Sequence, residues 1–179
     1  MPRAFWGRPS GLACLDGVVE DVWREAWSHH ITRLMILGNI ASLIDISPRD
    51  LSDWFWIAYA DAWDWVVEPN VMAMATHGVG NLMTTKPYIA GANYISRMSD
   101  YCRNCHFDPK KNCPIANLYW AFLDRHKASL ESNPRMGTVM MSLRKRTDEK
   151  RHHDRAIHEW VSASLQRGER LTPSGIPKP

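Results

Sequence analysis

The chain lacks the material of a membrane span. No apolar stretch approaches the ~20 residues that a membrane helix needs, since Arg33, Asn39, Asp61 and Asp64 break the most apolar segments. No segment alternates apolar and polar residues well enough for a strand, and no internal repeat is visible. An all-α fold is therefore expected. The first residues carry no basic and apolar leader, so the expected setting is the cytoplasm, where thiols stay reduced. Cysteine is scarce, at four residues, and disulfides are the least favoured reading of those four. The 179 residues are enough for one helical domain with a core.

What is present is concentrated. Cys102, Cys105 and Cys113 fall within the stretch YCRNCHFDPKKNCP, and the remaining cysteine is Cys14. Two thiolates two residues apart can face one ion. A third follows a turn-rich segment, and Cys14 could close a four-sulfur site. A metal centre is the leading reading; zinc and an iron-sulfur cluster both remain open on spacing alone, beside free buried thiols. Nine tryptophans exceed ordinary packing needs and point to an aromatic ligand. From Arg135 onward ten basic side chains face five acidic ones. Both signs mix along that helix, which reads as a solvated face more than a phosphate-binding one.

Taken in order, residues 1–10 read as an extended lead-in with Trp6 as its only large apolar anchor. Apolar residues at three- and four-residue steps predict a helix over 12–29, with Cys14 in its first turn. A second helix, over 31–43, is apolar nearly all round, so Arg33 and Asn39 need buried partners: a polar ligand or neighbouring helices. His29 and His30 sit at the junction, where they can pack or act as proton donors. Ser47, Pro48 and Asp50 start a helix running to about 61. It leads into the densest aromatic region, where Asp61, Asp64 and Glu68 lie among tryptophans before Pro69 interrupts. A glycine-rich stretch over 71–92 reads as a short helix and then a loop; Tyr88 and Tyr94 flank its end. Helices are expected from about 93, beyond Pro114 to about 130, from Asn133, and from Thr147 to about Gly168.

The segments SHHITRLMILGN, YADAWDWVVEPNVMAM, TTKPYIAGANYISRMSDYCRNCHFDPK, CPIANLYW and NPRM occur in one order. Together they resemble the C-terminal part of the iron-sulfur bacterial cryptochromes and photolyases, including the bacterial (6-4) photolyases, over about residues 5–136. The resemblance implies a helical FAD-binding domain, apparently truncated at its N-terminus, over 1–170, with a disordered tail over 171–179. It implies a [4Fe-4S] cluster on Cys14, Cys102, Cys105 and Cys113. Arg33, Asn39, Asp61, Asp64, Glu68 and Asn70 would face FAD. His29 and His30 correspond to lesion-site histidines, Tyr88 and Tyr94 to pocket tyrosines, and Trp6 and Trp54 to an aromatic chain feeding electrons to photoexcited flavin. Damaged DNA is the implied partner, and an N-terminal region or companion chain would supply the rest of the domain. Competing readings are a blue-light photoreceptor of the cryptochrome kind, a non-enzymatic DNA-binding module braced by a cluster, and a zinc-stabilised helical scaffold.

Overall fold

The computed structural model describes residues 1–178. Those residues form helices and connecting turns, with no strand among them, and no helix is long and apolar enough to cross a membrane. The first long helix, Ala13–Glu25, buries Leu15, Val18, Val19 and Val22 along one face. The sequence periodicity predicts this stripe. Asp16 in its first turn accepts hydrogen bonds from the backbone N–H groups of Ser10, at 2.7 Å, and Gly11, at 3.1 Å, tying the lead-in to the helix start.

That lead-in is not extended. Arg3–Trp6 winds into a 3-10 turn, which places Phe5 in the core at 0% exposure and leaves Trp6 46% exposed. The anchor is thus Phe5 rather than Trp6. Successive residues of a helical turn point in different directions, and here the second aromatic faces solvent.

The second helix begins at His30, whose predecessor His29 caps it: His29 Nδ1 accepts from the Ile31 N–H at 3.1 Å. After Thr32 the winding widens to a π-helix over Arg33–Gly38 and returns to α over Asn39–Leu43. A third helix, Pro48–Ala58, opens with the expected Ser47 cap and Pro48 at its first position. The segment around Pro69 departs from expectation. Proline does not stop the chain there: Asp64–Val67 is α-helical and Glu68–Ala75 continues it as a π-helix. Proline brings no N–H to the α ladder, and a wider turn is one way of carrying the helix past it.

The two π segments face each other. A Cβ added at Gly38 would lie 2.8 Å from the Cβ of Ala75 and 3.2 Å from the Arg33 carbonyl oxygen. Glycine is required by this approach of backbones. Elsewhere the long C-terminal helix, Asp148–Arg167, lies along Pro114–Arg125. It is pinned by buried Asp154, which accepts from Arg146 and, at 2.8 Å, from Asn117 Nδ2. Residues beyond 170, expected to be disordered, fold back on the domain. Leu171 is buried, its N–H donates to the Ser10 carbonyl at 2.8 Å, and Ile176 packs against the core. Pro179 lies outside the described residues.

Replacing Gly38 with Ala is expected to cost about 1–3 kcal/mol by overpacking, read as a lower urea midpoint at unchanged slope. Adding Ala75→Gly should recover part of that loss, as a double-mutant cycle would record.

Candidate functional site

Three parts of the molecule gather the residues that the sequence nominates. The first is an apolar cavity of about 100 Å³ between the two π segments. Leu34, Phe55, Val67 and Val71 contribute its walls, and His30, Arg33, Asp61 and Asn70 its polar atoms. Arg33 and Asp61 form a two-pronged pair: Nη1 to Oδ1 at 3.0 Å and Nη2 to Oδ2 at 2.9 Å. The Arg33 Nε–H also donates to the Ser28 carbonyl, at 2.8 Å. Its guanidinium carbon lies 4.3 Å from the centre of the Tyr59 ring and 5.9 Å from that of Trp27. An arginine so fixed presents its charge at one place, which a lysine could not do. Tyr59 shares a hydrogen bond of 2.7 Å with Ser28. Burial pushes its phenol up to about 12 against that bond and the Arg33 charge, so it stays protonated at neutral pH. Asn70 donates from Nδ2 to the Val66 carbonyl at 2.8 Å, which leaves its Oδ1 for another donor.

Not every polar residue expected here takes part. Asn39 is fully buried, but its amide is spent on Ala90: Nδ2 donates to that carbonyl at 3.0 Å and Oδ1 accepts from that N–H at 2.8 Å. The need for buried partners is met within the protein, away from the cavity lining. Asp64 and Glu68 are exposed and also lie outside the lining. His29 is exposed and occupied with its cap, while His30 reaches the rim. Tyr88 and Tyr94 are 39% and 48% exposed.

The second part is aromatic. Trp54, buried at 1% exposure, meets Tyr59 at 6.1 Å and Phe55 at 5.2 Å between ring centres, both edge-on. On its other side it meets Trp23 at 6.5 Å, and Trp23 stacks on Trp6 at 5.7 Å. An unbroken series of rings therefore runs from the cavity wall to the surface. Trp23, an ordinary apolar position in the helical pattern, was not marked by the sequence as part of it. Its spacing from Trp6 and Trp54 along the chain carries no signal of their meeting.

The third part is the thiol site. Cys14, Cys102, Cys105 and Cys113 line one narrow cavity with Leu12, Ile95, Tyr101 and Phe107, and none is in a disulfide. Among the described residues, no group of three or more His, Cys, Asp or Glu side chains is arranged to hold a metal ion. The expected cluster thus has its four donors around a shared space, but no formed metal-binding group. Burial, more than the neighbouring thiols, holds Cys14 far above the usual thiol range, and burial pushes Cys113 up to about 12. These thiols are protonated at neutral pH, and a metal would have to displace their protons.

No family model matches the chain. It is 40% identical to a (6-4) photolyase of Agrobacterium fabrum over 161 residues, which cover 87% of this chain and 32% of that protein. Over most of its length the chain is thus similar to one part of a photolyase. It spans about a third of the length of that photolyase. A second match, 35% identical over 89 residues, is to an uncharacterized protein of Acanthamoeba polyphaga mimivirus, covering 50% of this chain and 69% of that one.

The Arg33–Asp61 pair lies in the cavity lining and holds the second helix to the turn after Ala58. Asp61 remains 46% exposed and Arg33 16%, so solvent screening limits the value of the pair. Arg33→Met, which keeps the aliphatic packing, is expected to cost about 1–3 kcal/mol through the lost charged hydrogen bonds, while Asp61→Asn should cost less. Urea unfolding of both variants checks the order.

Proposed function

We propose that this chain supplies the flavin-facing wall and the cluster-bearing loop of a light-driven DNA photolyase acting on (6-4) lesions. The observation that carries the reading is the meeting of His30, Arg33, Asp61 and Asn70 on one apolar cavity that an aromatic series reaches from the surface. Kinship with a (6-4) photolyase supports it.

The polar atoms of the lining match the donors and acceptors at an isoalloxazine edge, but the cavity of about 100 Å³ is below the ~300 Å³ of a typical ligand site and would have to widen to take the ring. Apolar side chains from two helices can hold a flat ring, and polar atoms at the cavity edge can meet its heteroatoms. Bound FAD would supply the light absorption and the one-electron chemistry. Arg33, held in place by Asp61 and Ser28, would offer a fixed positive charge to the bound ring. Asn70 offers the acceptor left free by its bond to Val66. Leu34, Val67 and Val71 would exclude water from a ring bound in this cavity, where a low dielectric strengthens polar contacts. Asn39, Asp64 and Glu68 are assigned no contact with the ring.

On the exposed side, His30 at the cavity rim is the proton donor for a flipped lesion, and His29 fixes the start of its helix. Tyr88 and Tyr94, half-exposed, offer faces on which bases stack. Trp54 and Trp6 are the inner and outer members of the aromatic chain. Cys14, Cys102, Cys105 and Cys113 would hold a [4Fe-4S] cluster. Four soft donors around a shared apolar space suit it, because a cluster takes one thiolate at each iron and does not need all four sulfurs on one atom.

The test is anaerobic purification of the whole chain with iron and acid-labile sulfide analysis, and a visible spectrum before and after FAD is added. Iron, sulfide and retained flavin in near-stoichiometric amounts are expected, followed by (6-4) lesion reversal under blue light. Zinc alone, with no flavin uptake, would overturn the assignment. Cys102→Ala should lose iron and soluble yield together, since metal binding and folding share one free energy in a loop braced this way. A metal-free variant with wild-type yield and helicity would count against the cluster.

A further inference from the structure

We propose that Ser28 and Tyr59 form a positioning pair for Arg33, fixing its guanidinium so that two N–H groups are left for a ligand of the cavity. The inference rests on the flavin reading above and adds to it the residues that aim its charge.

An arginine side chain carries five N–H groups. The Nε–H of Arg33 donates to the Ser28 carbonyl at 2.8 Å, and Nη1 and Nη2 each donate once to Asp61, at 3.0 and 2.9 Å. One N–H remains on each Nη, and among the described residues neither has a protein acceptor. Asp61 alone would not decide where these two point. Its side chain is 46% exposed, and a planar fork held only by it can swing with it. The bond from Nε to a backbone oxygen removes that freedom, and the Tyr59 ring, 4.3 Å from the guanidinium carbon, limits movement out of the plane.

Both constraints meet in one hydrogen bond. The hydroxyls of Ser28 and Tyr59 lie 2.7 Å apart, joining residues 31 positions apart in sequence, and the two residues are only 6% and 5% exposed. Tyr59 supplies the ring, Ser28 supplies the carbonyl, and the bond sets one against the other. Ser28 also precedes His29, which caps the second helix, so the same tie anchors the segment that carries His30 to the cavity rim. Two buried hydroxyls can instead serve only themselves, each satisfying the other. The two roles separate when both are removed. Losing one hydroxyl strands its partner, whereas replacing both with apolar atoms of similar shape removes that penalty.

The test uses the whole chain with Tyr59→Phe, Ser28→Ala and the double variant, each checked for folding by circular dichroism. Nitrogen-15 NMR follows hydrogen exchange at the Arg33 Nε–H, identified by its absence in Arg33→Met, and urea unfolding gives the stability of each variant. Each single variant should lose stability and the double variant should regain much of it. Exchange should be roughly tenfold faster than in the wild type in all three, the recovered double variant included. Wild-type exchange in that double variant would overturn the proposal, because the hydroxyls would then serve only each other. In a second arm FAD is added and reduced stepwise with dithionite. The double variant should show a lower reduction midpoint than the wild type, since a less firmly placed positive charge favours the electron-rich ring less. An unchanged midpoint would overturn the link from the pair to the ring. Failure of the wild type to take up flavin would sink the functional reading, while the exchange arm would still decide whether Ser28 and Tyr59 position Arg33.

Discussion

One backbone carbonyl holds the aromatic half of the molecule together. The oxygen of Phe5 receives the indole N–H of Trp23 from the first helix and that of Trp54 from the third, each at 3.0 Å. A carbonyl has two lone pairs, and both are used here. The Phe5 ring meanwhile packs edge-on against Trp54, with centres 5.4 Å apart. The lead-in, the first helix and the third helix are thereby fixed at one point, two of them through groups that would be costly to bury unpaired. The orientation of Trp54 toward Tyr59, and through Tyr59 toward Arg33, follows from this junction.

The Arg33–Asp61 pair plays the corresponding part on the other side of the third helix. Its members are 28 residues apart in sequence, and the chain between them contains the whole turn and helix that Ser47 caps. Between the two junctions lies the cavity. Its apolar walls come mainly from the two π-helical segments and their neighbours, and among its polar residues Arg33, Asp61 and Asn70 already bond within the protein. Asn70, for instance, gives its side-chain N–H to the Val66 carbonyl and keeps its oxygen for another donor.

Helix starts were legible in the sequence because they are local: Ser47 with Pro48, Asn133 with Pro134, and Thr147 with Asp148 each cap the helix they announce. The convergence of the four cysteines was legible as a possibility, since three of them share one short stretch. Pairings between distant segments were not. Asn39 needed a buried partner, which the sequence left open between a ligand and the protein; Ala90, 51 residues away, takes both ends of its amide. Asp64 and Glu68 belonged by composition to the cluster with Asp61, yet a helix starts at Asp64 and its turn directs them to solvent. The lead-in misled for a related reason. Two adjacent aromatics, Phe5 and Trp6, are alike in apolar character, and only the 3-10 turn decides which is buried.

The two π-helical turns carry a further meaning. A π turn holds one residue more than the α turn it replaces, so each is equivalent to a single insertion absorbed without a loop. Helices that differ only by such a turn keep their ends in place while every side chain beyond it is rotated about the axis. Comparisons with relatives across Arg33–Gly38 and Glu68–Ala75 are therefore sensitive to gaps of one residue. A shift of that size decides whether Arg33, Asn70 or a neighbour is counted as facing the cavity. In this part of the chain, the placing of a one-residue insertion and the identity of the cavity-lining residues are a single question.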